Sequence, residues 1–239
     1  MLLVRRSVEK LLMKLLYNHF VSFQIKLWVI KLGNIGDSKM CPKVTSQHKE
    51  EIRGRILQSA VECFSKNGFD KTRMDEISLS ADVSKGTLYN YFDSKEELFH
   101  ALCEDSLALL KIELDRLFTS SKHDLISNAE LFYENFQKIR KEGTAKVFFE
   151  ALSESTRNAK LQKILSKHRS QIFKLVENYL QLQIDRGFLK KGSNPEYIAP
   201  GLVSLFDGIS AGGLLGVPED FNKKVWAVTI RTILSTLER

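Results

Sequence analysis

Apolar residues recur at spacings of three and four along nearly the whole chain, and no stretch of six residues alternates cleanly between apolar and polar positions. The first spacing places apolar side chains on one face of an α-helix, whereas alternation would indicate a half-buried strand. The pattern therefore predicts an all-α protein. Its helices are predicted at residues 48–67, 72–81, 85–92, 94–118, 124–140, 144–154, 158–186, 195–215 and 219–237.

Residues typical of helix ends separate the first four of these helices. Asn67 and Gly68 end the first, and Gly68 is predicted to adopt the left-handed conformation of a C-terminal cap. Ser84 is predicted to cap the short third helix. Two pairs have the spacing of a capping box, in which a Ser or Thr is followed three residues later by an acidic residue; they are Thr72 with Asp75, and Ser94 with Glu97.

The second and third helices are predicted to form a helix-turn-helix, because both are short and a tight turn joins them. Leu88 and Phe92 lie on one face of the third helix, which leaves its polar residues on the other faces. That arrangement indicates an exposed helix whose inner face contributes to a small core. The predicted core consists of Ile77, Ala81, Val83, Leu88 and Phe92.

The third helix, within the segment VSKGTLYNYFDSKEELF at residues 83–99, contains a glycine and polar aromatic residues. Glycine inside a helix costs roughly 0.5–1 kcal/mol relative to alanine. Gly86 therefore indicates that another backbone approaches closely. Thr87, Tyr89 and Asn90 supply the hydroxyl, amide and methyl groups that read base edges. The free N–H groups at helix starts suit phosphates, with Arg73, Lys85 and Lys95 as assisting cations.

Residues 48–99, with TRMDEISLSADVSKGTLYNYFDSKEELF at their centre, resemble the DNA-binding headpiece of the tetracycline-repressor (TetR) family. By this resemblance Thr72 contacts a phosphate, Tyr91 contacts the DNA backbone, residues 84–89 belong to the recognition helix, and Lys95 is the lysine at the start of the fourth helix. Asp82 stands where the turn usually has glycine, and aspartate tolerates left-handed geometry. The predicted DNA-binding residues are Thr72, Arg73, Ser84, Lys85, Gly86, Thr87, Tyr89, Asn90, Tyr91 and Lys95.

The resemblance also implies a fold and a function for the remaining helices. The headpiece, residues 45–93, would be joined by a continuous helix to a larger ligand-binding and dimerisation domain, residues 94–239. Two helices, at 195–215 and 219–237, would form a four-helix interface in a homodimer. The alternative is that their apolar residues belong to an ordinary intrachain core. The predicted interface residues are Leu205, Gly208, Gly212, Phe221, Val225, Val228 and Ile233.

A ligand pocket is the second feature that the resemblance implies. Five aromatic residues on two consecutive helices could line an apolar cavity, although aromatic stripes at helical spacing more often belong to a core. Such a lining would favour an apolar effector, for example a fatty acyl compound or a lipophilic drug, over a sugar or a nucleotide. The five residues are Phe132, Tyr133, Phe136, Phe148 and Phe149.

Charge and composition narrow the function further. The formal net charge of +7 lies mostly in residues 1–39, and residues 43–100 contain nine basic and ten acidic residues. The headpiece is therefore expected to bind DNA without sequence preference only weakly, and salt should suppress that binding. Residues 1–44 are predicted to be a disordered leader or an artefact of the chosen start codon, with translation beginning at Met40.

The sequence offers no pattern for catalysis, metal binding or a cofactor. Its three cysteines include no CxxC pair, its five histidines are scattered, and no glycine-rich phosphate loop is present. Free cysteines without a disulfide framework indicate a reducing cytoplasm. We therefore expect a cytoplasmic, ligand-responsive repressor, without enzymatic activity, that binds a near-palindromic DNA operator as a homodimer. The alternatives are a non-catalytic small-molecule carrier and a membrane-surface adaptor anchored by residues 11–32, although no stable membrane association is expected.

Overall fold

The computed structural model describes residues 46–119, 128–139 and 143–237. Within these ranges the chain forms nine α-helices and no β-strand, which confirms the predicted all-α class. The helices are α1 (Ser46–Asn67), α2 (Met74–Ser80), α3 (Lys85–Tyr91), α4 (Lys95–Thr119), α5 (Ala129–Ile139), α6 (Thr144–Glu154), α7 (Ala159–Asp185), α8 (Pro195–Leu214) and α9 (Glu219–Ser235). The predicted leader, residues 1–44, lies outside the described residues.

The predicted end of α1 and the predicted starts of α3 and α4 are confirmed. Gly68 has a φ of 82°, and its amide donates to the carbonyl of Phe64 at 2.9 Å. The Ser84 hydroxyl accepts the Thr87 amide at 3.0 Å. At α4, Ser94 accepts the amide of Glu97 at 3.3 Å, while the Glu97 carboxylate accepts the amide of Asp93 at 2.8 Å. These side chains pair amides that have no partner within their own helix.

The capping box predicted for Thr72 and Asp75 is wrong. Arg73 is the residue that precedes α2, and its amide donates to the carboxylate of Glu76 at 3.2 Å. Thr72 is 1% exposed, and its hydroxyl donates to the carbonyls of Gly68 at 2.7 Å and Cys63 at 3.1 Å. The hydroxyl therefore points inward and fixes the connection between α1 and α2.

The turn between α2 and α3 has the geometry that the sequence predicts. Asp82 has a φ of 51°. Among the described residues, no other non-glycine residue lies in the left-handed region. The amide of Val83 then donates to the carbonyl of Ser78 at 3.0 Å, which closes the turn. Aspartate tolerates this conformation better than most residues, so a glycine is not required here.

The headpiece helices share one hydrophobic core with two helices from later in the chain. The predicted core residues Ile77, Ala81, Leu88 and Phe92 are buried, and Val83 is half-buried against them. The same core continues through α4 into α6 and α7. The residues from those three helices are Leu98, Phe99, Cys103, Val147, Ala151, Leu161 and Leu165.

A second core lies among α5, α7, α8 and α9. Trp226 is at its centre, packed against Phe132 with ring centroids 5.7 Å apart and against Phe206 at 5.5 Å. The Trp226 indole also donates to the carbonyl of Ala129 at 3.0 Å, so its polar nitrogen is satisfied in the interior. No helix in the described ranges is long and apolar enough to span a membrane.

Polar contacts also join the headpiece to the later helices. Arg53 of α1 donates two hydrogen bonds to the Asp105 carboxylate of α4, at 3.1 and 3.3 Å. Near the start of α7, the Asn158 amide donates to the Glu96 carboxylate of α4 at 2.9 Å. This amide helps to hold the pKa of Glu96 below its ordinary value, although burial acts in the opposite direction and is the largest single influence. The contacts give α4 fixed partners on both sides.

Candidate nucleic-acid interface and cavity

One edge of α3 is exposed and polar. Leu88 is fully buried and anchors the helix, whereas Lys85, Gly86, Tyr89 and Asn90 are exposed on the faces away from the core. α3 is therefore held from one side and presents its other side to the solvent, which is the arrangement required of a helix that enters a DNA groove.

Thr87 lies between these two faces. Its side chain is half-buried, and its hydroxyl oxygen lies 2.9 Å from that of Ser84, at the helix cap. Either hydroxyl can donate in this pair, so the Thr87 hydroxyl retains capacity for a further hydrogen bond. Both residues were predicted DNA contacts, and the structure brings them together at the N-terminal end of α3.

Gly86 has no neighbour in the described residues that requires a glycine. A Cβ added at this position would lie 3.8 Å from the Ser84 hydroxyl oxygen, which is ordinary van der Waals contact. Its backbone is also right-handed, within α3. Alanine would therefore fit, and it would favour the helix by roughly 0.5–1 kcal/mol.

Two predicted phosphate-binding cations share one carboxylate. The Lys85 ammonium lies 2.6 Å from the Asp75 carboxylate, and the Arg73 guanidinium lies 3.7 Å from it. Lys85 and Arg73 are both well exposed, so these ion pairs contribute little to stability. Asp75 instead lowers the positive potential at the place where both cations were predicted to meet phosphates.

Lys95 and Tyr91 hold the headpiece together in addition to any role on DNA. The Lys95 ammonium donates to the carbonyls of Phe69 at 2.9 Å and Asp70 at 2.6 Å, and it lies 5.2 Å from the centre of the Phe69 ring. Tyr91 is half-buried, with its ring centroid 6.5 Å from that of Phe92. Their predicted DNA contacts stay predictions, and both side chains retain some exposed surface. Thr72 has almost none, because its side chain is buried.

A cavity of about 270 Å³ lies among the helices, and every described helix except α2 and α3 contributes to its lining. Phe132, Phe136 and Phe148, three of the five aromatic residues predicted to form a pocket, line it. Tyr133 and Phe149 are absent from the lining. Tyr133 is fully buried against Phe206 and Trp226, while Phe149 packs edge-on to Phe148.

Several lining residues were not singled out from the sequence. Leu57 and Val61 of α1 reach the cavity, so the headpiece itself forms part of its wall. His168, Arg169 and Asp207 give the wall a polar section, in which the Arg169 guanidinium donates to the Asp207 carboxylate. A histidine and an arginine on otherwise apolar positions of α7 were the available sequence signal, but Asp207, the partner of Arg169, lies on α8.

Burial keeps two titratable groups of the lining uncharged. It lowers the pKa of His168 to about 4, despite a small opposing effect of the Glu104 carboxylate. It raises the pKa of the Cys103 thiol to about 12, assisted by the same carboxylate. Both shifts follow from the high cost of charge in an apolar environment. His168 is therefore a neutral imidazole at pH 7, and Cys103 is a thiol.

None of the predicted dimer residues of α8 and α9 is buried. Phe221 and Val228 are 59% and 61% exposed, and Ile233 is exposed as well. A Cβ on Gly208 would meet open space, whereas one on Gly212 would contact Val217 of the same chain at 3.5 Å. The two other predicted residues, Leu205 and Val225, are half-buried against the second core.

In the described ranges, no group of three or more His, Cys, Asp or Glu side chains could hold a metal ion. Cys63 and Cys103 are both free cysteines. The α3 surface exposes polar residues next to a buried anchor, and the cavity wall combines an apolar lining with a polar section. These two places are therefore the candidate functional sites.

Comparison with protein families gives a match at the headpiece. Residues 56–102 match the model of the bacterial regulatory proteins of the tetR family. The HTH-type transcriptional regulator YfiR of Bacillus subtilis is 29% identical over 177 residues, which cover 73% of this chain and 86% of that protein. The negative transcriptional regulator IcaR of the Staphylococcus epidermidis biofilm operon icaADBC is 35% identical over 54 residues, which cover 23% of this chain and 29% of IcaR.

Solved structures share the fold well beyond the headpiece. The transcriptional regulator FadR of Bacillus subtilis, crystallised in complex with stearoyl-CoA, superposes with a TM-score of 0.65. The match covers 77% of this chain and 99% of FadR, at 16% sequence identity. At that identity the likeness concerns the arrangement of the helices alone.

Proposed function

The chain belongs to the TetR family of transcriptional regulators, and on that premise we propose that it is a repressor that binds a near-palindromic operator as a homodimer and responds to a small apolar effector. Residues 45–93 form the DNA-binding part, and residues 94–239 supply the dimer interface and most of the effector site. α3 enters the major groove, where its exposed polar residues contact base edges.

The observation that carries this proposal is Gly86. An exposed glycine in the first turn of α3 weakens the helix, yet no described neighbour requires it. A requirement from outside the chain accounts for it, because only glycine lets a DNA backbone or base edge approach the helix closely. Thr87, Tyr89 and Asn90 beside it are suited to reading that DNA.

Dimerisation is supported by the exposed apolar face of α8 and α9. Phe221 and Val228 lie four and three residues from the half-buried Val225, so the three residues form one stripe along α9. Gly208 of α8 faces open space, where a helix of a second copy can approach. A two-fold arrangement would place two α3 helices about one DNA turn apart, roughly 34–36 Å.

The effector role is supported by the extent of the cavity. Its wall includes Leu57 and Val61 of α1 together with Trp226 and Ile230 of α9. A molecule bound there would contact both the headpiece and a helix of the proposed dimer interface. It would favour the arrangement of these helices that fits it best, and release from DNA follows if that arrangement spaces the two α3 helices wrongly. FadR, a neighbour in fold, binds stearoyl-CoA in its crystal structure.

The test is footprinting of the full chain on DNA flanking its own gene, beside a Thr87→Ala/Tyr89→Ala variant. We expect a protected near-palindrome that the variant loses. A Gln162→Ala/Lys163→Ala variant is the control, because both residues are exposed on α7 and neither is a predicted DNA contact. If the first variant protects the same bases with the same affinity as the unchanged protein, α3 is not the recognition helix.

A further inference from the structure

Every charged side chain of the cavity lining, in the part of the chain that the structure describes, has a partner of opposite charge. Asp105, Arg169 and Asp207 are these side chains. The Asp105 carboxylate accepts two hydrogen bonds from Arg53, and the Asp207 carboxylate accepts one from Arg169. The lining therefore offers no unpaired cation for an acid and no unpaired carboxylate for an amine.

The rest of the lining is apolar or uncharged. The rings of Phe132, Phe136, Phe206 and Trp226 form a connected aromatic group, in which Phe136 and Phe206 are 4.5 Å apart and perpendicular. Burial keeps His168 neutral, as described above. An ionised ligand would lose its hydration in such surroundings without gaining a counter-ion, whereas an apolar molecule would gain from leaving water.

From this balance of charges and the aromatic wall we infer that the cavity selects an uncharged, ring-containing apolar molecule and discriminates against acids and phosphorylated carriers of similar size. This inference rests on the proposed function in one respect, namely that the cavity is the effector site. It narrows the effector class that the aromatic residues alone suggest, which also included fatty acyl compounds.

Arg169 is the cation of the lining to which an anionic ligand would bind if the residue had no partner. Its guanidinium lines the cavity, and it lies 5.2 Å from the centre of the Phe173 ring on its own helix. A guanidinium is the best side chain for binding a carboxylate or sulfonate, but here the Asp207 carboxylate already balances its charge. Removing that negative charge would leave Arg169 available to an anionic ligand.

Two fluorescent probes with the same ring system provide the test. N-phenyl-1-naphthylamine is uncharged at neutral pH, and 8-anilino-1-naphthalenesulfonate adds one sulfonate to the same rings. We expect the full chain to bind the uncharged probe about tenfold more tightly, or better. In Asp207→Asn the affinity for the sulfonate should rise about tenfold, while the affinity for the uncharged probe changes little.

Two control variants test whether the probes bind in the cavity. Val203→Phe places a larger side chain on the cavity wall and should weaken binding of the uncharged probe. Glu177→Gln removes a carboxylate paired with Lys174 outside the lining, at 2.7 Å, and should leave both affinities unchanged. Circular dichroism of each variant verifies that it is folded.

Equal or tighter binding of the sulfonate by the unchanged protein would overturn the inference, even if Asp207→Asn failed to fold. An unchanged affinity for the uncharged probe in a folded Val203→Phe variant would overturn it too. Operator binding by the same preparations, measured without probe, tests the proposed function separately. Failure to bind DNA would therefore contradict the proposed regulatory function. The probe affinities would still test the selectivity of the cavity.

Discussion

At the scale of single residues, the headpiece contains positions whose local chemistry opposes stability or DNA affinity. Gly86 weakens α3, and Asp75 neutralises two cations on the predicted DNA side. Helix stability alone would favour alanine in place of Gly86. Tight DNA binding alone would favour an uncharged residue in place of Asp75. Such conflicts are expected at functional sites, where a partner sets the requirement.

Gly86→Ala should separate stability from function. We expect the free energy of unfolding to rise by roughly 0.5–1 kcal/mol, because alanine favours the helix, while operator affinity falls at least about tenfold through a clash with DNA. Chemical denaturation and a DNA titration measure the two effects. Gly54→Ala in α1 is the control, since a Cβ there has no neighbour within 4 Å and DNA binding should persist. Undiminished operator binding by Gly86→Ala would remove the main support for the α3 interface.

Asp75→Asn should increase DNA affinity and its dependence on salt. Lys85 and Arg73 would lose their shared carboxylate partner and could release counter-ions from one or two more phosphates. The slope of log affinity against log salt should steepen by about 0.9 for each added phosphate contact. Glu62→Gln on α1 makes the same change in net charge at a carboxylate that pairs with Gln58 and with neither cation, and it should leave the slope nearly unchanged. Equal slopes in all three proteins would show that the Asp75 ion pairs do not restrain DNA binding.

His168 should make stability depend on pH in the mildly acidic range. Its folded pKa of about 4 lies below the ordinary value of 6.5, so the unfolded chain binds the proton first and stability falls as pH drops through this window. Between pH 7 and pH 5 the loss from this residue should be about 2 kcal/mol. Nearby Glu104, Arg169 and His100 influence the pKa less than burial does.

Urea denaturation at several pH values measures this effect. His168→Gln should lose much less stability between pH 7 and pH 5 than the unchanged protein, whereas His48→Gln, at an exposed position, should behave like the unchanged protein. A His168→Gln variant with the same pH dependence would show that the neutral buried imidazole is not the cause.

At the scale of elements, the helices and most of their ends were predictable because their signals are local. Gly68, Ser84 and Ser94 act through bonds to residues within four positions. The start of α2 was misassigned because Thr72 bonds backward to the carbonyl of Cys63, nine residues away, instead of capping the helix. A capping pattern cannot reveal that a hydroxyl will be buried by the packing of a neighbouring helix.

The cavity was only partly predictable for a similar reason. Aromatic spacing indicated Phe132, Phe136 and Phe148, but the same spacing also selected Tyr133, which packs in the core instead. Leu57 and Val61 were indistinguishable from other apolar residues of α1. Their contribution to the wall depends on which helices meet, and a periodic pattern does not specify that.

The exposed stripe on α9 gives an element-scale prediction. Phe221→Asp/Val228→Asp should dissociate the proposed homodimer, because a carboxylate buried in an apolar interface has no partner. Sedimentation at micromolar protein should show a monomer that retains its helical circular dichroism. Leu152→Asp is the matched control, since Leu152 is also exposed but lies on α6. A dimer that survives the double substitution would place the interface elsewhere.

At the scale of the whole molecule, the described helices connect the exposed side of α3, the cavity wall and the exposed stripe on α9. The first core joins the headpiece to α6 and α7, and the cavity wall extends from α1 to α9. Regulation requires such continuity, since a ligand alters DNA binding only when it favours one arrangement of the connecting helices over another. Arg53 and Asp105 lie along this route, where an α1 side chain meets a residue of the cavity wall.

The central claim is that two copies of α3 read an operator together, and hydroxyl-radical footprinting on a selected operator tests it most directly. We predict two protected segments related by a dyad and about one helical turn apart, roughly 34–36 Å. Thr87→Ala/Tyr89→Ala should abolish both segments, and Phe221→Asp/Val228→Asp should weaken both together. A single protected segment, or protection that persists in both variants, would contradict the account.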